Sequence, residues 1–138
     1  MRSTDKGVRM KAFFPKAALV AIFSLFFSAL PVVPAAALEL VMVEQQGCSY
    51  CEMWNEQIAP IYHKTAEGRF APLRRLDIGE VDSGEIAFAR MVNFTPTFVL
   101  VDAGRELGRI EGYPGEDFFW WLLGKLLREN SDFEGAGG

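Results

Sequence analysis

The chain has 138 residues, with 14 Lys and Arg against 18 Asp and Glu and only two cysteines. That length allows one modest domain, and two cysteines exclude a disulfide framework. The acidic balance makes the chain a poor candidate for a nucleic-acid partner, since phosphate binding needs clustered positive charge.

Arg2, Lys6, Arg9, Lys11 and Lys16 give the chain a basic start. Ala17–Leu30 follows as an uncharged apolar run of 14 residues, shorter than the roughly 18–20 that a bilayer span needs. Pro31 and Pro34 break the run, and Ala35-Ala36-Ala37 offers a small-residue cleavage site. Residues 1–37 are therefore expected to be a secretory signal, cleaved after Ala37. The alternative is an uncleaved anchor, since Leu30–Ala37 could prolong the apolar stretch. Of the 14 basic and 18 acidic residues, five basic ones and Asp5 fall in this leader, so residues 38–138 carry nine against 17, about −8. Such a domain should stay soluble and favour neutral or basic protein surfaces.

Leu38–Val43 is a short apolar run with β-branched residues and reads as a buried strand. A turn at Gln45-Gln46-Gly47 leads to Cys48, where a helix is expected to begin and to run to about Thr65. Its apolar positions are Met53, Trp54, Ile58, Ile61 and Tyr62, and Pro60 should kink or break it. Ala71–Ile78 reads as a second strand. A helix is expected from Gly84 to about Val92, capped by Asp82 or Ser83. Thr97–Val101 is the clearest strand, Asp102–Arg105 a hairpin turn, and Glu106–Glu111 the returning strand. Gly112–Gly115 is a loop. Asp117–Glu129 is the last helix, acidic at its start and basic near its end. Ser131–Gly138 reads as a flexible, Gly-rich tail. The order β-α-β-α-β-β-α gives one α/β domain over 38–130, a mixed sheet with helices on both faces.

The chemistry is concentrated at Cys48-Ser49-Tyr50-Cys51. Thiols three residues apart share one face of a helical turn, within reach of a reversible disulfide. A helix start presents free N–H groups and about half a positive charge, which favours thiolate over thiol. Cys48, nearest that field and the more exposed, is expected to be the nucleophile, with a pKa below the free value of about 8.5. Cys51, one turn inward, is expected to resolve the mixed disulfide. Ser49 can donate a hydrogen bond toward the thiolate, and Tyr50 shapes the surface beside it.

Other readings of the pair are weaker. Structural zinc wants four ligands, and the chain adds only His63, read as a surface residue. Haem attachment needs His directly after the second cysteine; Glu52 stands there. A two-thiolate carrier of a soft metal is the alternative function. The run Phe118–Leu123, six apolar residues in a row, reads as a core helix with a wide buried stripe. A partner or membrane patch on Trp120 or Trp121 is its alternative.

A strand, a Cys-x-x-Cys pair at a helix start, Thr95-Pro96-Thr97-Phe98 entering a hairpin, a Gly-rich loop and a closing helix together resemble a thioredoxin-fold oxidoreductase in its minimal form. The likeness covers nearly all of 38–130. Gly47-Cys48-Ser49-Tyr50-Cys51, Trp54-Asn55, Ile58-Ala59-Pro60-Ile61-Tyr62 and Lys64-Thr65 narrow it to the SoxS-type periplasmic thioredoxins of bacterial sulfur-oxidation systems. The resemblance implies a cis bond before Pro96, with Thr95 and Pro96 facing the cysteines and binding an extended substrate. It implies a periplasmic, monomeric thiol–disulfide oxidoreductase without a cofactor beyond its own Cys48–Cys51 pair. The implied client is a protein thiol or disulfide, in the narrower reading a sulfur-carrier protein, and a membrane thiol reductant supplies electrons. Reductase is the expected direction on a scaffold shared with oxidases and isomerases. Two departures stand out. Met42 occupies the position six before the first cysteine where thioredoxins bury an acid, with Glu44 the nearest carboxylate. Glu56 replaces the usual helix proline, and Pro60 comes later.

Overall fold

The computed structural model describes residues 38–135. The expected signal segment, its cleavage site and the last three residues of the tail lie outside the described residues.

Four strands, β1 (Glu39–Glu44), β2 (Leu73–Asp77), β3 (Thr97–Asp102) and β4 (Arg105–Glu111), form one sheet in the order β2-β1-β3-β4. β1 and β2 are parallel; β1 with β3 and β3 with β4 are antiparallel. The mixed α/β sheet read from the sequence is therefore present. A parallel pair needs a long crossover, here supplied by α1 (Ser49–Gln57), α2 (Ala59–Tyr62) and α3 (Ala66–Phe70). The chain closes with α4 (Glu116–Asn130).

β1 and β3 read as unbroken apolar runs because both of their faces are covered. Leu40, Met42, Phe98 and Leu100 face Trp54, Ile58, Phe119, Leu123 and Leu127 of the helical layer. Val41, Val43, Val99 and Val101 face a smaller cluster with Ile86 and Val92. The four α-helices contribute to the first cluster. The second face is served by a 3-10 helix, Ile78–Ser83, and by the irregular segment after it.

That segment corrects the expected helix from Gly84 to Val92. Gly84 ends the 3-10 helix in the left-handed region, at φ 84°. Ala87 then bridges Arg105: its N–H donates to the Gly104 carbonyl at 2.7 Å, and its carbonyl accepts from Glu106 N–H at 3.2 Å. The segment thereby covers polar backbone at the edge of β4. Ile86 and Phe88 point inward while Ala87 and Ala89 are exposed, the two-residue period of extended chain rather than of a helix.

The long helix expected from Cys48 breaks at Ile58. Pro60 lies in the first turn of α2, where a missing N–H costs nothing. Thr65 then caps the unexpected α3, accepting from Gly68 N–H at 3.0 Å. In the tail, Phe133 is buried and packs on Phe70 with ring centroids 5.0 Å apart. The chain from Ser131 thus stays tied to the domain at least that far. The apolar run of α4 is only partly buried. Phe119 and Leu123 are buried, Trp120 stacks on Tyr62 at 6.1 Å, and Phe118 and Trp121 are exposed.

β4 carries a register shift opposite Leu100 and Val101: Leu100 pairs with Gly108, and Val101 with Glu106. In a regular strand, residues three apart face opposite sides. The extra residue puts Glu106 and Arg109 on the same side, where they form an ion pair at 2.6 Å with both side chains 3% exposed. Burial pushes the Glu106 carboxyl up. Hydrogen bonds from Arg109 and from Ala89 N–H, together with the Arg109 charge, outweigh that and hold it below the usual carboxylate range. A depressed folded-state pKa contributes stability above the unfolded value, lost as pH falls through the folded one. Acid unfolding should therefore be steeper in the native chain than in the Glu106→Leu/Arg109→Met variant, by denaturation midpoints measured from neutral pH down through the carboxylate range. Parallel curves would contradict this.

Candidate active site

β1 ends at Glu44, and a turn with Gly47 at φ 76° delivers Cys48 to the start of α1. Cys48 is the N-cap residue, with extended backbone, and its sulfur performs the capping: Cys51 N–H donates to Cys48 Sγ at 3.1 Å. The Cys48 carbonyl accepts from Glu52 N–H at 3.0 Å. The two sulfurs are joined as a disulfide, with Cα atoms 5.2 Å apart. Both cysteines are buried, Cys48 at 8% residue exposure and Cys51 at 3%. A reduced Cys48 at this position would sit in the field of free N–H groups at the helix start. The donor to its sulfur is the backbone of Cys51; Ser49 is exposed at the first helical position.

Strand register gathers the remaining residues. Val43 pairs with Thr97, and Thr97 with Glu111. The exit of β1 toward Cys48, the entry to β3 through Thr95 and Pro96, and the exit of β4 toward Gly112 therefore share one end of the sheet. The Thr95–Pro96 bond is cis. The Pro96 carbonyl accepts from Gly112 N–H at 2.7 Å, and Thr97 Oγ1 donates to the Phe94 carbonyl at 2.8 Å. Tyr50 is 58% exposed. Beside it lies an open hollow of about 530 Å³, lined by Tyr50, Met53 and residues 111–115. Tyr113 closes its inner wall and donates from its hydroxyl to Gln57 Oε1 at 2.6 Å, fastening the loop to α1. Burial, then the Glu116 charge, raises the Tyr113 pKa.

Sequence reading placed Met53 among the apolar positions of α1, but the structure turns it outward into this hollow. The signal was available, because Met53 is three residues after Tyr50 and shares its helix face. Tyr113 and the exposed Phe94 carried no such mark. Met42, at the position where an acid was missed, is fully buried. Glu44 is held by Arg75 at 2.7 Å; the same guanidinium donates to Asn55 Oδ1 at 2.7 Å and lies over the Trp54 ring at 5.8 Å. His63 is exposed at the end of α2. Among the described residues no group of three or more His, Cys, Asp or Glu side chains is gathered as a metal ligand set.

The family described as thioredoxin-like domain matches residues 35–127. The crystal structure of the periplasmic thioredoxin SoxS from Paracoccus pantotrophus, in its reduced form, is 53% identical with a TM-score of 0.62, over 64% of this chain and 94% of that one. The chain is a SoxS-type member of the thioredoxin-like family. A thioredoxin from Malassezia sympodialis, Mala s 13, is 16% identical with a TM-score of 0.47, over 66% of this chain and 76% of that one. No curated protein matches the chain. With this fold and the Cys48–Cys51 disulfide, the SoxS-type protein is a thiol–disulfide oxidoreductase that acts on protein thiols or disulfides.

Proposed function

We propose that this protein is exported to the periplasm, released by cleavage after Ala37, and reduces protein disulfides or cysteine–sulfur adducts. Its client in this reading is the sulfur-carrier protein of a sulfur-oxidation system, and a membrane thiol reductant restores it. The observation that carries the reading is Cys48 as N-cap of α1, with its sulfur already accepting a backbone N–H. The periplasmic SoxS of P. pantotrophus, more than half identical, supports the compartment and the system.

The reduced Cys48 thiolate attacks one sulfur of the client disulfide. A mixed disulfide forms, the client S–S bond breaks, and the departing client thiolate takes a proton from water. Cys51 then loses its proton and attacks Cys48 Sγ. The mixed bond breaks, the second client thiolate leaves, and the Cys48–Cys51 disulfide remains. Two electrons pass to the client, and the membrane dithiol returns two to the pair. Tyr50 and Ser49 flank the reacting sulfur, and Thr95 and Pro96 receive the extended client segment.

A Cys51→Ser variant completes only the first attack. Incubated with periplasmic extract of sulfur-grown cells, it is expected to accumulate a reducible adduct in which Cys48 is joined to the carrier cysteine, identified by mass spectrometry. Adducts only with unrelated proteins would overturn the carrier assignment. No adduct at all would overturn the reductase reading.

A further inference from the structure

Arg75 takes no part in the thiol exchange, yet it touches both ends of the segment that carries the cysteines. On the edge strand β2 it stands in register with Met42, on the face of the sheet that α1 covers. Its Nη1 donates to Glu44 Oε2 at 2.7 Å, and its Nη2 donates to Asn55 Oδ1 at 2.7 Å. The guanidinium carbon lies over the Trp54 ring, 5.8 Å from its centroid. Glu44 ends β1 four residues before Cys48, and Asn55 lies in α1 four residues after Cys51. One guanidinium therefore closes a ring around the turn and the helix start that hold both sulfurs. Residues four apart share a helix face, so Asn55 follows Cys51 on the same side of α1. On the other flank Tyr113 fastens Gln57 at 2.6 Å, and α1 is held from both sides.

The Arg75 and Glu44 side chains are 40% and 26% exposed. Water screens an ion pair at that exposure, so it adds little to stability and projects little field toward the sulfurs. Geometry survives the screening. A planar fork presents its donors in fixed directions, and here two nitrogens bind residues of two different elements while the face rests on an aromatic ring. Such a hold acts on one step above the others. Cys51 attacks Cys48 Sγ within the chain, so that step follows the effective concentration of one sulfur at the other. The attack of Cys48 on an outside disulfide does not.

We infer that Arg75 is a positioning residue that staples β1 to α1 across the cysteine turn and so sets how strongly Cys51 competes for Cys48. The inference rests on the reading of Cys48 as the nucleophile and Cys51 as the resolving thiol.

The test uses two variants. Arg75→Met keeps an apolar stem on Trp54 and removes the fork; Asn55→Ala removes only the helix end of the staple and no charge. Each is equilibrated with glutathione redox buffers. The equilibrium constant for forming the Cys48–Cys51 disulfide from oxidised glutathione is expected to fall at least about threefold in both. In a Cys51→Ser background, the rate of Cys48 toward dithiodipyridine is expected to stay within about twofold of that of the Cys51→Ser protein alone. Should Arg75→Met fail to fold, Asn55→Ala decides by itself. A native equilibrium constant in either folded variant overturns the proposal, and a fall confined to Arg75→Met would assign the effect to charge instead. An equal change in the Cys48 rate overturns it as well. Absence of any mixed disulfide at Cys48 in the Cys51→Ser protein would sink the underlying reading of the site, and the staple with it.

Discussion

Cys48→Ser is expected to lower reduction of a protein disulfide by at least about a thousandfold. Serine at the same N-cap keeps the fold and can accept the Cys51 N–H, so the loss isolates the chemistry. A hydroxyl at this site does not ionise near neutral pH, whereas a thiol with a helix start behind it does. Steady-state insulin reduction, coupled to a dithiol reductant, reads the effect. The remaining Cys51 lies one turn into the helix at 3% exposure and is not expected to substitute. Residual turnover within tenfold of the native rate would mean that Cys51 meets clients directly, and the assignment of the two roles would be reversed.

The second large effect is on stability. Trp54 is fully buried and lies against Phe98 at 5.3 Å, Phe119 at 5.8 Å and Tyr62 at 6.1 Å between ring centroids. It stands three residues after Cys51, so it ties the helix that carries the cysteines to the sheet and to α4. Trp54→Ala is expected to cost about 3–5 kcal/mol through lost transfer energy and the cavity left behind. For a domain of this size that is a fall in Tm on the order of 20 °C. Trp54→Phe should cost far less. The ring contacts largely survive, and the buried Nε1–H, which has no partner, is removed with its desolvation penalty. Denaturant titration of the three proteins gives the comparison. Alanine and phenylalanine variants of equal stability would show that the indole is not the anchor of α1.

The parts of this fold legible in the sequence were those whose burial is two-sided or whose motif is local. β1 and β3 announced themselves as apolar runs, and the cysteine spacing fixed the helix start. The acidic residues at the head of α4 marked its first turn. The segment after Gly84 was misread because Ile86, Phe88 and Val92 suit a helix or an extended edge equally well at that length. What decided it was the bare edge of β4, which is a property of the assembled sheet. The Glu106–Arg109 pair was hidden for a related reason. At regular strand spacing the two would lie on opposite faces, and only the register shift beside Leu100 brings them together. Within the site, the Cys48–Cys51 pair at a helix start was readable from its spacing. Met53 and Tyr113 were taken for ordinary core and loop positions because their place at the hollow depends on the approach of α1 to the 111–115 loop.

The most direct measurement is the rate of Cys48 alkylation by iodoacetamide in the reduced protein as a function of pH, with the modified residue mapped by mass spectrometry. The expected profile places modification at Cys48 alone, with a midpoint below the free-cysteine value of about 8.5. A midpoint at that free value, or modification favouring Cys51, would contradict a helix start that holds an accessible thiolate at Cys48.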